Sequence, residues 1–481
     1  METLNGRVSG NVYEPNGTVF DGFDKVEPAH GEQGVRDLQG QQPALSGLRA
    51  TFHKVIWHGG SVYDAWLNAV SAQVGQVILS MPTSYAQMGL KLGVLFNLLY
   101  MCIGIWTCYL LARLYIEHRY REERKGTNFA NHIIQYHEVI GALVGPWARR
   151  IVLFFNIMTM GSVATVQIIA CASNAYYLSD KLDKQQYALI FGGLSMCMVL
   201  LPSLHNFRVF SFVGVLTTTY TAWYLLIATI KQGRVIGVQH TGPHDLTQFF
   251  TGMTNILFAT GGHAITIEIM HAMWKPRKYK YVYVINCLYI LSITIPHCIT
   301  MYWAFGDLLL TRNNALAVLP PSNARSTAIV FMIVHQAVAF GLYVMPLFIM
   351  WEKLLRIHYV WFPLRAVARL PVAGFLWLLA LLIPFFGPLN SIIGAVFMSF
   401  STFMIPCLVY LYVFWTPPSR QNAAEKMSKF LPRWKGVVLL NLFIIVVIAA
   451  LGTGFGSYAS INNIRNQLKT FGVFDKCYQC S

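Results

Sequence analysis

The chain has 481 residues, of which 55% are hydrophobic and only 12% are charged. Soluble domains carry about 25% charged residues, so this composition excludes an ordinary soluble protein. The formal net charge is +16, and most of the basic residues lie in loops between apolar segments, as is typical of the cytoplasmic side of membrane proteins. The charge therefore does not indicate nucleic-acid binding.

The hydrophobic residues come in long blocks, and a block of about 20 residues crosses a bilayer as a helix. The clear blocks are 92–112, 151–178, 187–204, 209–230, 281–304, 327–350, 372–386, 389–415 and 436–459. Two more blocks, 64–90 and 248–274, are long enough but are interrupted by glycine, proline or polar residues. The pattern predicts an all-α polytopic membrane protein with eleven transmembrane helices.

The first 55 residues are rich in Gly, Gln, Asp and Glu and lack apolar periodicity, which indicates a disordered tail. If this tail is cytoplasmic, the cytoplasmic segments together contain 26 of the 36 Lys and Arg residues. Cytoplasmic loops are typically enriched in these residues. We therefore expect a cytoplasmic N-terminus and, after eleven spans, an extracellular C-terminus.

Most of the nine cysteines lie in apolar blocks, but Cys477 and Cys480 form the terminal sequence CYQC. On the outer side of a membrane these two residues can form a disulfide. A zinc site would need two further ligands, and none is nearby in the sequence. We expect a structural disulfide or free thiols, and no metal site.

Two predicted spans contain helix-breaking residues. The first reads QVGQVILSMPTSYAQMG, with Gly75, Ser80 and Pro82, and the sixth contains Gly261 and Gly262. Because lipid offers no hydrogen-bond partner, unwound backbone is tolerated only where it lines a cavity. Breaks five spans apart are typical of transporters built from two inverted repeats, with the substrate between the broken helices.

This symmetry predicts the organisation of the chain. A cytoplasmic tail, 1–55, precedes a first repeat, 56–235, with five spans. A second repeat of five spans, 236–418, is followed by residues 419–481, which hold a cytoplasmic loop, the eleventh span and an extracellular tail.

The breaks also predict the charge of the substrate. Where the second half of each broken span begins, unpaired N–H groups and the positive end of a helix dipole point into the site. Two such N-termini suit a carboxylate. Phe258, Phe340 and Tyr343 can hold a planar apolar body. We therefore expect a small organic anion with an apolar part.

Several strings of residues resemble the plant auxin influx carriers of the amino acid/auxin permease family, and they occur in the same order from about residue 53 to the C-terminus. These strings are WHGGSVYDAW, ACASN, LPSLHNFR, TTTYTAWYL, GGHAITIEIMHAMWKP, ARLPV, PFFGP, RQNAAEK and KCYQC. The resemblance implies a LeuT-like fold, proton-coupled import of indole-3-acetate and a location in the plasma membrane. Ala72 and Thr83 depart from the family, which usually has Asn and Tyr at these positions, so the affinity and the exact substrate preference are open.

Carried over to this chain, the family motifs suggest the site residues. We predict that the following residues bind the substrate: Gly75, Gln76, Ser80, Phe258, Gly261, Gly262, His263, Gln167, His335 and Phe340. Gln167, Asn174 and His335 can instead form hydrogen bonds between helices. Asp64, near the inner mouth, can bind a proton or simply cap a helix.

The charge of the substrate explains why protons are needed. Bringing one anion into an inside-negative cell costs about 2.3 kcal/mol per 100 mV. One proton cancels this cost, and a second makes import favourable. His263 is the first candidate for proton coupling, because protonated imidazole also pairs with a carboxylate. Glu268 is the second candidate, and it can alternatively pair with a Lys or Arg at an inner gate.

The alternative for His263 is a neutral core histidine bonded to a neighbouring carbonyl. We expect His263→Ala to be more damaging than His335→Ala, because His335 is not part of a break in the sequence.

Other functions remain open at this point. The same family includes proton-coupled permeases for neutral or aromatic amino acids, tryptophan among them. A His-cluster membrane oxygenase is disfavoured, because Gly-Pro in HTGPH prevents His240 and His244 from sharing a helical face. A substrate-sensing receptor is a third alternative. We expect no enzyme activity, no cofactor other than protons, and a monomer in the lipid bilayer.

Overall fold

The computed structural model describes residues 60–75, 77–127, 129, 132–201, 207–426, 430–474, 476 and 478. All of these residues belong to one structural unit, Phe52–Ser481. The predictions for the tail 1–55, for Gln76 and for Cys477 and Cys480 concern residues outside these ranges.

The first part of the described chain is helical. Its helices are α1 (Val62–Val74), α2 (Val77–Met88), α3 (Leu90–Arg124), α4 (Tyr136–Val144), α5 (Pro146–Leu178), α6 (Lys184–Ser195) and α7 (Phe207–Gln232). A short 3₁₀ segment, Met196–Leu200, extends α6.

The second part continues in the same way. Its helices are α8 (Leu246–Ala259), α9 (Thr266–Ala272), α10 (Tyr279–Phe305), α11 (Asn323–Leu354), α12 (Phe362–Leu382), α13 (Phe386–Ile392), α14 (Ile405–Val413), α15 (Pro417–Gln421), α16 (Trp434–Val447) and α17 (Ser457–Phe471). The π-helical segment Ile393–Met404 joins α13 to α14, and Ile448–Gly456 joins α16 to α17.

Within the described residues, eight helices are long and apolar enough to cross a membrane when directly joined segments are counted as one. The α1–α2 and α8–α9 pairs, each interrupted by a break, and the shorter α6 are not among them. No β-strand occurs in these ranges. The predicted all-α membrane class is therefore confirmed, while the count of eleven spans stays a prediction.

The two broken pairs lie together in the bundle. Helix α2 packs against α8 and α10, and α1 packs against α7 and α10. Helix α11 packs against α5 and α7 and also contacts α1. The breaks are thus surrounded by unbroken helices, which can supply side chains to their exposed backbone.

Most predicted spans overlap a helix, but the block 372–386 was placed too late, because α12 begins at Phe362. Arg365 and Arg369 lie in the first turns of α12, and their charges shorten the apolar block from which the span was predicted. Arg369 is fully buried, and its Nε donates to Glu352 Oε1 at 2.7 Å. Its Nη1 donates to the carbonyl oxygen of Val199 at 3.1 Å, so the charge is paired inside the helix bundle.

The loops that carry most of the basic residues lie at one end of the bundle, which we call the basic end. Ion pairs join helices at this end: Asp64 with Arg208, Glu138 with Lys353, and Glu425 with Arg113 and Lys280. Several of the basic residues used to predict topology therefore also hold helices together.

We predict that Arg369→Met lowers the thermal stability of the purified protein more than Arg365→Met does. Removing one partner of a buried ion pair costs about 3–5 kcal/mol, and the remaining contacts of Glu352 with Arg365 and His358 offset part of this cost. Arg365 also donates to Glu352, at 2.8 Å, but its side chain is 18% exposed, so solvent can replace it. Thermal unfolding followed by fluorescence compares the two variants, and equal shifts would contradict the structural role of Arg369.

Candidate functional site

The break in the sixth predicted span lies where the glycine pair indicated. Helix α8 ends at Ala259, and a short 3₁₀ turn, His263–Ile265, precedes α9. The backbone here is tightly packed: a Cβ atom added to Gly261 would lie 2.5 Å from Met398 Sδ. A Cβ atom added to Gly262 would lie 3.0 Å from Gln73 Oε1. Both positions therefore favour glycine.

The break in the first span is at Gly75, between α1 and α2. The prediction that Ser80 and Pro82 belong to this break is wrong, because both residues lie inside α2. A proline removes one amide donor, and in α2 the carbonyl that loses its partner is that of Ile78. His297 Nε2 lies 3.1 Å from this carbonyl oxygen, so the helix continues through Pro82 with the missing donor replaced.

Side chains also bind the carbonyl groups left free at the breaks. The hydroxyl of Tyr343 donates to the carbonyl of Ala72, in the last turn of α1, at 3.0 Å. Gln73 Nε2 donates to the carbonyl of Thr260, which follows α8, also at 3.0 Å. Asn286 Nδ2 in turn donates to Gln73 Oε1 at 2.8 Å. Gln73 therefore connects the two breaks.

Sequence analysis missed Gln73 as a site residue. The available signal was an amide side chain at membrane depth, two residues before the glycine of the first break. Gln167 was selected on that kind of signal, and it is buried on α5 with no hydrogen-bond partner for its Oε1. Asn174 is different, because it bonds to Gln336 and Asn314, as expected of a hydrogen bond between helices.

His335 lies directly against the first break. A Cβ atom added to Gly75 would be 2.5 Å from His335 Nε2, so the expectation that His335 lies apart from the breaks is wrong. The two residues are far apart in the sequence, and only the packing of α11 beside α1 brings them together. His335 Nδ1 donates to the carbonyl of Gly214 at 3.0 Å, and Nε2 is buried without a partner.

His263 occupies the second break in a comparable way. Its Nε2 lies 3.1 Å from the carbonyl oxygen of Gly104 and 3.0 Å from Thr107 Oγ1. This carbonyl contact is the one expected from the alternative interpretation, a core histidine bonded to its neighbours. However, Nδ1 is buried and has no partner.

The two imidazoles thus share one arrangement. A carbonyl oxygen can only accept, so it fixes the N–H on one ring nitrogen and leaves a lone pair on the other when the ring is neutral. Protonation converts that second nitrogen into a donor with a positive charge. His263 and His335 can therefore each offer one further N–H donor when they are protonated.

Glu268, in the first turn of α9, is 3% exposed. Neither carboxylate oxygen has a partner at good hydrogen-bonding geometry, although the Gln135 side chain is close by, and no ion pair involves Glu268 among the residues described. The suggested pairing with a Lys or Arg is thus not formed in this conformation. An unpaired buried carboxylate is costly to ionise, which keeps Glu268 a candidate for binding a proton.

Asp64 caps a helix and forms an ion pair. Its Oδ2 accepts from the backbone N–H of Ser61, at the start of α1, at 3.0 Å. Its Oδ1 lies 2.7 Å from Arg208 Nε, which connects α1 to α7 at the basic end. Asp64 therefore lies at the opposite end of α1 from the break at Gly75 and is positioned to hold α1 against α7.

The predicted aromatic residues are in the interior: Phe258 on α8 is 4% exposed, and Phe340 on α11 is 2% exposed. At the opposite end from the basic loops, His240 Nε2 contacts the carbonyl of Tyr302 at 2.9 Å. No group of three or more His, Cys, Asp or Glu side chains suited to a metal occurs in the described part of the chain.

Comparisons with known proteins agree with this architecture. Residues 58–451 match the family model described as "Transmembrane amino acid transporter protein". Auxin transporter-like protein 1 of Oryza sativa subsp. japonica is 47% identical over 94% of this chain and 91% of its own length. Auxin transporter-like protein 2 of Arabidopsis thaliana is 48% identical over 90% of each chain.

A solved structure resembles the fold as well. The manganese transporter of Eremococcus coleocola, crystallised with an aromatic bis-isothiourea-substituted compound, aligns with a TM-score of 0.51 at 13% identity. The alignment covers 89% of this chain and 95% of that protein. This similarity concerns the fold alone and agrees with the LeuT-like class expected from the sequence. The chain belongs to the transmembrane amino acid transporter protein family and is a membrane transporter, not an enzyme.

Proposed function

We propose that the chain is a proton-coupled symporter that imports the auxin indole-3-acetate across the plasma membrane by alternating access. The observation that carries this proposal is the pair of buried histidines, His263 and His335, one at each helix break. Each has one ring nitrogen at a carbonyl oxygen and the other without a partner. On protonation both free nitrogens become donors for a carboxylate.

The surroundings of the breaks support an anion with an apolar body. Glycine at positions 75, 261 and 262 leaves the backbone beside the histidines without side chains, and Phe258 and Phe340 are buried in the same bundle. The relatives are named auxin transporter-like proteins, which favours an auxin as this anion. Indole-3-acetate combines a carboxylate with a planar apolar ring.

We further propose that the basic end faces the cytoplasm, with the N-terminus inside and the C-terminus outside. The distribution of Lys and Arg supports this orientation. Two inverted repeats, 56–235 and 236–418, would then place the breaks near the middle of the membrane. The transporter is proposed to act as a monomer and to use protons as its coupling ion.

A permease for neutral or aromatic amino acids is the second candidate, because the matching family model describes amino acid transporters. An amino acid would need an acceptor for its ammonium group. Asp64 is already paired with Arg208, and Glu268 lies beyond the second break on α9. We therefore favour the carboxylate without an ammonium group.

The first prediction of this function is that uptake of labelled indole-3-acetate increases as the external pH falls and is abolished by a protonophore. The reason is that the anion must enter with protons against an inside-negative potential. Uptake into a heterologous cell measures this, with unlabelled tryptophan as competitor. Uptake that depends on neither the external pH nor the protonophore would contradict proton coupling. Strong competition by tryptophan would favour the amino acid permease.

A second prediction concerns the glycine pair. Gly262→Val should abolish uptake while the protein still reaches the membrane, because the new side chain would meet Gln73 and block the backbone beside the substrate. Gly193→Val is the matched control, since a Cβ atom added to this helical glycine meets nothing within 4 Å. Normal uptake by Gly262→Val would mean that this backbone does not approach the substrate.

A third prediction concerns the two histidines. His263→Ala and His335→Ala should each weaken binding of indole-3-acetate about ten- to a hundred-fold at acidic pH, the equivalent of one lost charge-assisted hydrogen bond of about 1.5–3 kcal/mol. Both variants should also flatten the pH dependence of binding. Because His335 lies against Gly75, the two effects should be similar in size, contrary to the ranking from sequence alone.

Binding of labelled indole-3-acetate to purified protein over a pH series tests this prediction. His240→Ala is the control and should bind as the wild type does, because its ring contacts backbone at the end of α10, away from the breaks. Wild-type affinity and a wild-type pH profile in either break variant would remove that histidine from the binding site.

A further inference from the structure

We propose that His297, on α10, is a second proton-binding site of this chain, separate from the histidines at the two breaks. His297 is completely buried. Its Nδ1 lies 2.6 Å from the carbonyl oxygen of Ile293, and its Nε2 lies 3.1 Å from the carbonyl oxygen of Ile78. The proposal follows from these two contacts taken together.

Both of these carbonyl partners of the ring are hydrogen-bond acceptors. A neutral imidazole has one N–H and one lone pair, so it can satisfy only one carbonyl and must turn its lone pair toward the other. The imidazolium ion has two N–H groups and satisfies both. His263 and His335 differ in this respect, because each has a carbonyl at one nitrogen only. Of these three buried rings, His297 has the geometry that matches a doubly protonated state.

The acceptor on α2 is created by Pro82. In an uninterrupted helix, the carbonyl of Ile78 would accept the amide of the residue four positions later. Pro82 occupies that position and has no N–H, so the Ile78 carbonyl must find another donor. His297 from the neighbouring helix is at hydrogen-bond distance to act as that donor.

Among the residues that the structure describes, no acidic side chain pairs with His297. The titratable neighbours of His297 are Cys298, with its Sγ at 3.4 Å from Nε2, and Tyr85 of α2, near Cys298, with a hydroxyl that accepts from Asn97 of α3. Helices α1 and α7 also pack against α10, but within the described ranges no titratable side chain on them bonds or pairs with His297. Carbonyl dipoles alone stabilise the charge, so the proton can be released when the surroundings change.

The position of Ile78 gives this proton a role. Ile78 lies three residues after Gly75, in the first turn of α2, directly beyond the break. The protonated ring links α10 to the start of α2, whereas the neutral ring leaves one carbonyl facing a lone pair. Proton occupancy at His297 therefore biases the position of α2 relative to α10.

If the proposed import of an organic anion is correct, His297 supplies a place for the proton that makes import electrogenic, beyond the one that neutralises the substrate. This role rests on the proposed function. The binding of the proton itself does not.

The test is ¹⁵N nuclear magnetic resonance of the full-length protein, labelled on histidine and reconstituted in lipid without substrate. The ¹⁵N chemical shifts of the two ring nitrogens distinguish doubly protonated imidazole from neutral imidazole. We expect a doubly protonated signal at acidic pH that is lost in His297→Gln and that converts to a neutral signal as the pH rises. A His297 ring that stays neutral at every pH where the protein is folded would overturn the proposal.

Pro82→Ala is the second variant. It restores a backbone donor to the Ile78 carbonyl, so His297 should bind its proton less tightly and its titration midpoint should shift to lower pH. This shift identifies the signal even if His297→Gln does not fold. An unchanged midpoint would overturn the assignment of the Ile78 carbonyl as a partner of the proton.

An uptake experiment separates this proposal from the proposed function. His297→Gln should show a shallower pH dependence of indole-3-acetate uptake than the wild type at equal surface expression, and an unchanged pH dependence would overturn the role of His297 in coupling. If the wild type does not import indole-3-acetate, the proposed function fails, while the resonance experiment still decides whether His297 binds a proton.

Discussion

Backbone carbonyl groups inside a membrane must find their donors within the protein, because lipid offers none. This constraint governs the centre of the structure, where two helices are interrupted. Tyr343 donates to the carbonyl of Ala72 at the end of α1, and Gln73 donates to the carbonyl of Thr260 after α8. These hydrogen bonds stabilise the ends of α1 and α8 and tie the two breaks to each other.

The same constraint defines the state of the histidines. Each of His263 and His335 uses one nitrogen on a backbone carbonyl and retains a second, unpaired nitrogen in a buried position. In the neutral ring, the N–H stays on the nitrogen that faces the carbonyl oxygen. Protonation therefore adds a new N–H donor at the other nitrogen, which has no partner. In the function that we propose, proton binding and anion binding would then favour each other, because the linkage between two binding events is reciprocal.

Much of the fold was predictable, because hydrophobic blocks of about 20 residues report membrane helices directly. The glycine pair Gly261 and Gly262 likewise indicated the second break. The errors arose where a distant residue changes the local outcome. Pro82 does not break α2, since His297 provides the missing donor, and α12 begins early because Glu352 pairs with Arg369.

The binding site was less predictable than the fold. His335 was selected as a polar residue at membrane depth, but its contact with Gly75 depends on how α11 packs beside α1. Gln73 and His297 were missed, because their importance comes from carbonyl groups on other helices. The roles of Gln76, Cys477 and Cys480 stay predictions, since these residues lie outside the described ranges.

If His263 and His335 act as we propose, anion binding and proton binding are linked at the two breaks. The most direct measurement is the net proton exchange when indole-3-acetate binds to the purified protein in weakly buffered solution, followed with a pH-sensitive dye. We expect the protein to take up protons from solution when indole-3-acetate binds. The number of protons taken up should be smaller in a variant that lacks both His263 and His335. Binding of indole-3-acetate without any proton uptake would contradict the account.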